Sequence, residues 1–199
     1  MQFTLPVRAL KAAAKMAGND PYRPTLNLVY ISKHGIYATD SYVAYRYRTD
    51  SGIELETPVA FPVDSFKSLK GRKTDLVSFT DNGNGLWMLD FITSGNPADY
   101  IKEYALNHLN NLPGNIDNLF DEHPKKAGKI ESLGLGIQYL DKILKAAKVV
   151  NFSPNLRFDF SETTSRKLGG EKCVVPGSTI ITSTNSEDIA EFLIMPVRL

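Results

Sequence analysis

Apolar and polar positions change period repeatedly along this chain, and each change marks an element. Residues 2–5 read as a short strand. Pro6 stands where a helix opens, and residues 7–17 are rich in alanine, with Leu10, Ala13, Ala14 and Ala17 along one side. Gly18-Asn19-Asp20-Pro21 stops that helix. Residues 26–32 form an apolar strand, His34-Gly35 a turn, and residues 36–38 an antiparallel return. After Thr39-Asp40-Ser41, tyrosine and arginine alternate from 42 to 48, the pattern of a half-exposed strand. The order is strand, helix, strand, strand, strand.

That order recurs. Residues 57–61 predict a strand, Pro62 opens a helix through Lys70, and residues 75–80 and 86–92 form a hairpin around Asp81-Asn82-Gly83-Asn84-Gly85. A third copy starts near residue 130, with a strand at 133–135, a helix at 137–149 and strands at 156–160, 178–182 and 190–195. Between the copies, 99–109 reads as a helix, and 110–129, with Pro113, Gly114 and Pro124, as a connector. The expected organisation is therefore a two-repeat domain at 1–95, an irregular helix and linker at 96–129, and a half domain at 130–199. The expected class is α+β, repeated strand–helix–strand units with antiparallel sheets and their helices on one face. Phe192-Leu193-Ile194-Met195 has the pattern of a strand covered on both faces, and Pro196, lacking an N–H, ends its pairing. Val197, Arg198 and Leu199 then lie along the sheet edge, either as one wall of a peptide groove or as the frayed end of a core strand.

Charge adds a second pattern. The formal net charge is only +1, so attraction to nucleic acid has to come from segregated charge. Arg8, Lys11 and Lys15 fall at i, i+3 and i+7 on one helix face, with no acidic residue between 7 and 17. The second helix carries Lys67 and Lys70. The third carries Lys142, Lys145 and Lys148, set opposite Ile143, Leu144 and Ala147. Three aligned stripes would make one positive surface suited to phosphates irrespective of base sequence. The plainer reading is three solvated helix faces.

Composition narrows the classes further. A chain of 199 residues, 42% hydrophobic and 23% charged, has the make-up of a globular protein with a proper core. A single cysteine, Cys173, cannot form an intrachain disulfide or a thiolate metal cage and fits a reducing compartment. No apolar run approaches the length of a membrane span, and residues 1–4 open a strand, so the expected location is cytoplasmic, away from membranes. His34, His108 and His123 lack metal-site spacing, and Cys173 lacks a nucleophile signature. Asp40 reads as a turn cap, and Asp117, Asp121 and Glu122 as a small acidic surface cluster. Gly134-Leu135-Gly136 lacks the third glycine of a dinucleotide loop. The expectation is a binding protein without cofactor or metal; the enzymatic rival is a small metal-dependent nuclease using those carboxylates.

Several stretches resemble the bacterial sliding clamp, the beta subunit of the replicative DNA polymerase. Phe3-Thr4-Leu5 with its helix, Leu26-Asn27 and Ala38-Thr39-Asp40 are similar to the start of that family's middle domain. Val59-Ala60-Phe61-Pro62 is similar to the entry of the same domain's second half, and 112–120 to the linker before the last domain. Gly136-Ile137-Gln138-Tyr139-Leu140 and Ile194-Met195-Pro196-Val197-Arg198-Leu199 resemble the final half domain. The resemblance implies a DNA-clamp fold, with helices lining the inside of a ring around duplex DNA and contacting phosphates through Arg8, Lys11, Lys15, Lys67, Lys70, Lys142, Lys145 and Lys148. It implies a processivity factor, with a groove for short peptides of polymerases and other partners and possibly a clamp loader. Carried over by position, the groove would comprise Thr39, Ser41, Tyr42, Val43, Ala44, Pro113, Leu119, Ser178, Leu193, Met195, Pro196, Val197, Arg198 and Leu199. The sequence departs from the family where Ser41-Tyr42-Val43-Ala44 replaces the usual Gly-His-Arg-Leu. It is also short, like a phage or prophage version. If a ring needs about twelve repeats, three per chain imply a homotetramer, whereas a fourth repeat helix at 99–109 would imply a trimer. A monomer that binds partner peptides as an adaptor or decoy, without encircling DNA, is the alternative.

Overall fold

The computed structural model describes residues 1–49, 52–67, 69, 75–93, 96–104, 116–121, 135–150, 156–160, 164–168, 171–175, 179–184 and 189–195. The elements run β1 (Gln2–Pro6), α1 (Val7–Met16), a 3-10 turn (Pro24–Asn27), β2 (Leu28–Ser32), β3 (Gly35–Thr39) and β4 (Val43–Arg48). Next come β5 (Val59–Pro62), α2 (Asp64–Lys67), β6 (Leu76–Asp81), β7 (Leu86–Thr93) and β8 (Asn96–Tyr104). The last group is α3 (Ile116–Asp121), α4 (Ile137–Val150), β9 (Arg157–Phe160), β10 (Thr164–Leu168), β11 (Glu171–Val175), β12 (Thr179–Thr184) and β13 (Ile189–Ile194).

The first eleven of these form two half-units that exchange their leading strands. β1 leaves its own half to pair with β6, Phe3 lying opposite Phe79. In return β5 pairs with β2, Phe61 lying opposite Val29. This yields a four-stranded sheet, β1-β6-β7-β8, and the start of a seven-stranded one, β5-β2-β3-β4-β13-β12-β9. The second sheet is continued by a third half-unit, α4 followed by β9, β12 and β13, with the hairpin β10–β11 inserted. All sheet pairings are antiparallel.

Both faces of the seven-stranded sheet are covered, which is why β2 and β3 read as continuous apolar runs. Val29, Ile31, Ile36, Ala38, Val43, Tyr45, Phe192 and Ile194 point to the face under α1 and α4. Leu28, Tyr30, Tyr37, Ala44, Ala60, Ile180 and Leu193 point the other way and pack with Ile116 and Phe120 of α3. Burial pushes the Tyr30 phenol up to about 12. A ring cluster closes the joint between the first two half-units: Phe3 stacks on Phe79 at 5.1 Å, and Phe61 meets Phe66 and Trp87 edge-on. At the β2–β3 turn only glycine fits position 35, where φ is +141° and a Cβ would sit 2.0 Å from the Tyr47 carbonyl oxygen.

Two expected elements differ. Residues 96–104 of the expected irregular segment form strand β8, because the open edge of β7 takes them as a partner and outweighs their helical spacing. Pro62 closes β5 instead of opening a helix, and α2 is a single turn in which Lys67 N–H reaches Val63 O at 3.1 Å. The hairpin β10–β11 has no counterpart in the sequence reading. The expected strand at 133–135 lies largely outside the described residues.

Candidate nucleic-acid interface and peptide groove

α1 packs against both α2 and α4 and lies over strands β2, β3 and β4 of the seven-stranded sheet. Seven of its ten residues are buried; of the other three, Lys15 is exposed and Arg8 and Lys11 are half-buried. Its alanines explain this. Small side chains let sheet and neighbouring helices close in on every side except one narrow line, and that line is basic. α4 is more mixed: Gln138, Asp141, Lys145 and Lys148 are exposed together on its open face.

The cations expected along the three helices are therefore not equivalent. Lys142 turns sideways towards α1, donating to the Asp40 carboxylate and, at 3.1 Å, to the Ala17 carbonyl at the helix's C-terminal end. A cation there also meets the negative end of the α1 dipole. Lys145 pairs with Asp141 one turn away, and Lys67 pairs with Asp64 at 2.9 Å. Leu144, expected on the apolar side, is 43% exposed. Lys70 lies outside the described residues.

The candidate groove sits where the β3–β4 turn meets the end of β13. Val43 and Ala44 lie opposite Ile194 and Leu193, and the Met195 N–H donates to Tyr42 O at 3.0 Å. Thr39 braces the turn: its hydroxyl donates to Val43 O at 2.8 Å and accepts the Ser41 N–H. Asp40 accepts the N–H groups of Tyr42 and Val43. Ser41 holds φ at +79°, the backbone demand that a glycine usually meets, so a side chain is carried here at some strain.

Of the expected groove residues, Thr39, Val43, Ala44 and Leu193 are buried, the last two under Ile116 and Phe120. Ser41, Tyr42, Leu119 and Met195 are exposed. Pro113, Ser178, Pro196, Val197, Arg198 and Leu199 lie outside the described residues. The sequence reading missed Tyr139, whose ring stacks on Tyr42 at 5.2 Å, and Phe120, which carries Arg46 over its face at 4.7 Å. The spacing Ile116 to Phe120 on a short helix was the available signal for α3.

Beside this turn lies an ion cluster. Arg46, nearly buried, donates to Glu191 at 2.7 Å and to Asp121 at 2.6 Å, while Arg48 reaches Glu191 at 2.9 Å. Burial works against the Arg46 charge, but the two carboxylates more than offset it and hold its pKa above the ordinary value. Asp121, expected in a solvated acidic cluster, is thus an anchor of α3. Among the described residues no group of three or more histidine, cysteine or carboxylate side chains is placed to hold a metal ion. No helix of the described residues is long and apolar enough to cross a membrane.

Solved structures share this fold. The DNA polymerase III subunit beta of Pseudomonas aeruginosa aligns with the whole chain at a TM-score of 0.63 and 13% identity. The sliding clamp of Bartonella birtlesii aligns at 0.57 and 12%, and the beta subunit of Borrelia burgdorferi at 0.53 and 14%, each again over the full chain. The protein has the sliding-clamp fold. It spans 66%, 63% and 63% of those three clamp chains, respectively. No family model matches the sequence, and no curated protein matches it.

Proposed function

We propose that the protein is a clamp-like tether that holds a partner, such as a polymerase, on duplex DNA without acting on the DNA itself. The observation that carries this reading is α1. A helix buried on nearly every side, and free of acidic residues, keeps its incompletely buried line basic, with Lys15 exposed and Arg8 and Lys11 half-buried. A fixed row of cations on a rigid layer suits contact with a phosphate backbone, which needs charge and position but no base reading. Lys145 and Lys148 of α4 extend that face, while Lys142 serves the joint with α1.

Partner recruitment is assigned to the exposed pair Tyr42 and Met195, which end adjacent strands and give a short peptide an aromatic and a thioether to pack on. The decoy reading draws on a different observation: Lys67 and Lys145 are each paired with a carboxylate on the same helix, which thins the positive surface.

The two readings separate on DNA. Lys11→Glu, Lys15→Glu and Lys145→Glu combined should abolish duplex retention in a low-salt binding assay and leave the circular dichroism spectrum unchanged. The parent protein should lose affinity steeply as salt rises. Retention equal to the parent's would rule out the α1 path and leave the peptide surface as the functional one.

A further inference from the structure

α3 lies on the face of the seven-stranded sheet turned away from α1 and α4, and side chains alone hold it there. Ile116 and Phe120, one helical turn apart, are buried among Tyr30, Tyr37, Ala44, Ile180 and Leu193. Asp121 accepts from Arg46 at 2.6 Å and from Arg48 at 3.5 Å, and the Arg46 guanidinium sits 4.7 Å over the Phe120 ring. Among the described residues no backbone hydrogen bond joins α3 to a strand. Leu119 and Asp121 are exposed. A helix of six residues does not stand by itself in water, so α3 depends on the face it covers.

Its departure would strand no charge. Arg46 keeps Glu191 at 2.7 Å, and the Asp121 carboxylate, 59% exposed, passes to water. What it would uncover is an apolar patch on the β4–β13 seam, where Ala44 lies opposite Leu193, with Arg46 and Arg48 beside it. Strand alternation carries that face two residues on, from Leu193 to Met195, whose exposed thioether belongs to the proposed recruitment surface. The patch under α3 is thus continuous with that surface. α3 itself shows what the patch accepts: an aliphatic side chain, a phenylalanine four residues later, and a carboxylate next to the ring.

We propose that α3 is a built-in occupant that masks this patch, and that a partner segment of the same chemistry, a short helix with that aliphatic, phenylalanine and carboxylate spacing, displaces it. α3 is on the same chain as the patch, so it competes at an effective concentration far above that of an added peptide. It therefore sets the threshold that a partner's affinity has to exceed. Exchange replaces one apolar pair and one carboxylate by another, and Arg46 keeps a counter-charge throughout. This rests on the recruitment half of the proposed function and adds its regulation. Its test uses neither DNA nor a polymerase, so the two can fail separately.

The probe is a fluorescently labelled peptide of this chain's own sequence from Asn115 to Glu122. In the full chain, Phe120→Ala with Asp121→Ala should empty the patch, and this variant should bind the peptide at least about tenfold tighter than the parent by fluorescence anisotropy. A peptide with alanine at the Phe120 position should bind neither protein. Equal binding by parent and variant, or none by either, with the variant keeping the parent's circular dichroism, would overturn the proposal. A second measurement needs no variant. In the parent, the Phe120 and Asp121 amides should exchange about a hundredfold faster than the Tyr45 amide of β4. Equal protection of all three would mean that α3 leaves only when the sheet unfolds, and the proposal would fail.

Discussion

Between the first two half-units the joint consists of exchanged strands and packed rings: Phe3, Phe61, Phe66, Phe79 and Trp87 meet at centroid distances from 5.1 to 6.4 Å. Between β4 and β13 there is no exchange. Two strands lie side by side with the buried rings of Tyr45 and Phe192 packed 5.3 Å apart across them, and the fastening added to that is polar: Arg46 and Arg48 with Glu191 and Asp121 on one face, Lys142 with Asp40 on the other. The first joint cannot open without pulling a strand out of the opposite sheet and wetting aromatic surface. The second also buries Tyr45 and Phe192, but a larger part of its fastening is charged contacts that water can replace. Apolar burial is indifferent to moderate salt, whereas partly exposed ion pairs are screened by it. A molecule built this way has one permanent joint and one adjustable one.

The largest effect should follow from emptying the aromatic joint. Phe79→Ala removes a fully buried ring from between Phe3, Phe61 and Phe66, and should cost about 3–5 kcal/mol, read from urea denaturation. The loss should be the same at low and high salt. A cost under about 1 kcal/mol would mean that the ring cluster is not what binds the half-units.

Next comes the buried cation. Arg46→Met leaves Glu191, largely buried, without its closest partner, and should cost about 3 kcal/mol. Adding Glu191→Leu should restore most of that stability, since a buried ion pair exchanged whole for apolar groups is often neutral. The contrast with the first joint would sharpen if the double variant also lost its salt dependence. Equal stability of the single and double variants would show that Arg48 already compensates for Glu191.

These two joints differ in how far the sequence discloses them. Strand–helix–strand periodicity revealed three half-units, and α1 and α4 came out within a residue of their observed ends, because their apolar spacing and flanking Gly and Pro are local signals. The exchange of β1 and β5 was not legible. A strand's alternation says which face is buried, never which neighbour covers it. β8 was missed for a related reason: its residues suit a helix locally, and only the open edge of β7 makes them a strand. In the candidate interface, the stripe Arg8, Lys11, Lys15 was readable from spacing alone. That Lys142 belongs to a joint and not to the stripe was not, since its partner Asp40 lies 102 positions away. Tyr42 and Met195 were named from resemblance, but their adjacency rests on the β4–β13 register.

Lys142 provides the smallest and most selective probe of the comparison. Its amine ties α4 to the Asp40 turn and to the end of α1, and it is only half-buried. Lys142→Met keeps the aliphatic stem and removes the charge. Asp40 retains the N–H groups of Tyr42 and Val43, so no carboxylate is stranded, and the cost should be about 1 kcal/mol. That energy should appear locally. Exchange of the Met195 amide, which donates to Tyr42 across the seam, should quicken about fivefold, while amides of β6 keep the parent's rate. Equal acceleration in both places would mean that the two joints open as one unit. Acceleration confined to Met195 and its neighbours would mean that the β4–β13 seam can loosen while the exchanged strands hold, so a partner engaging Tyr42 and Met195 would meet the part of the molecule that is free to adjust.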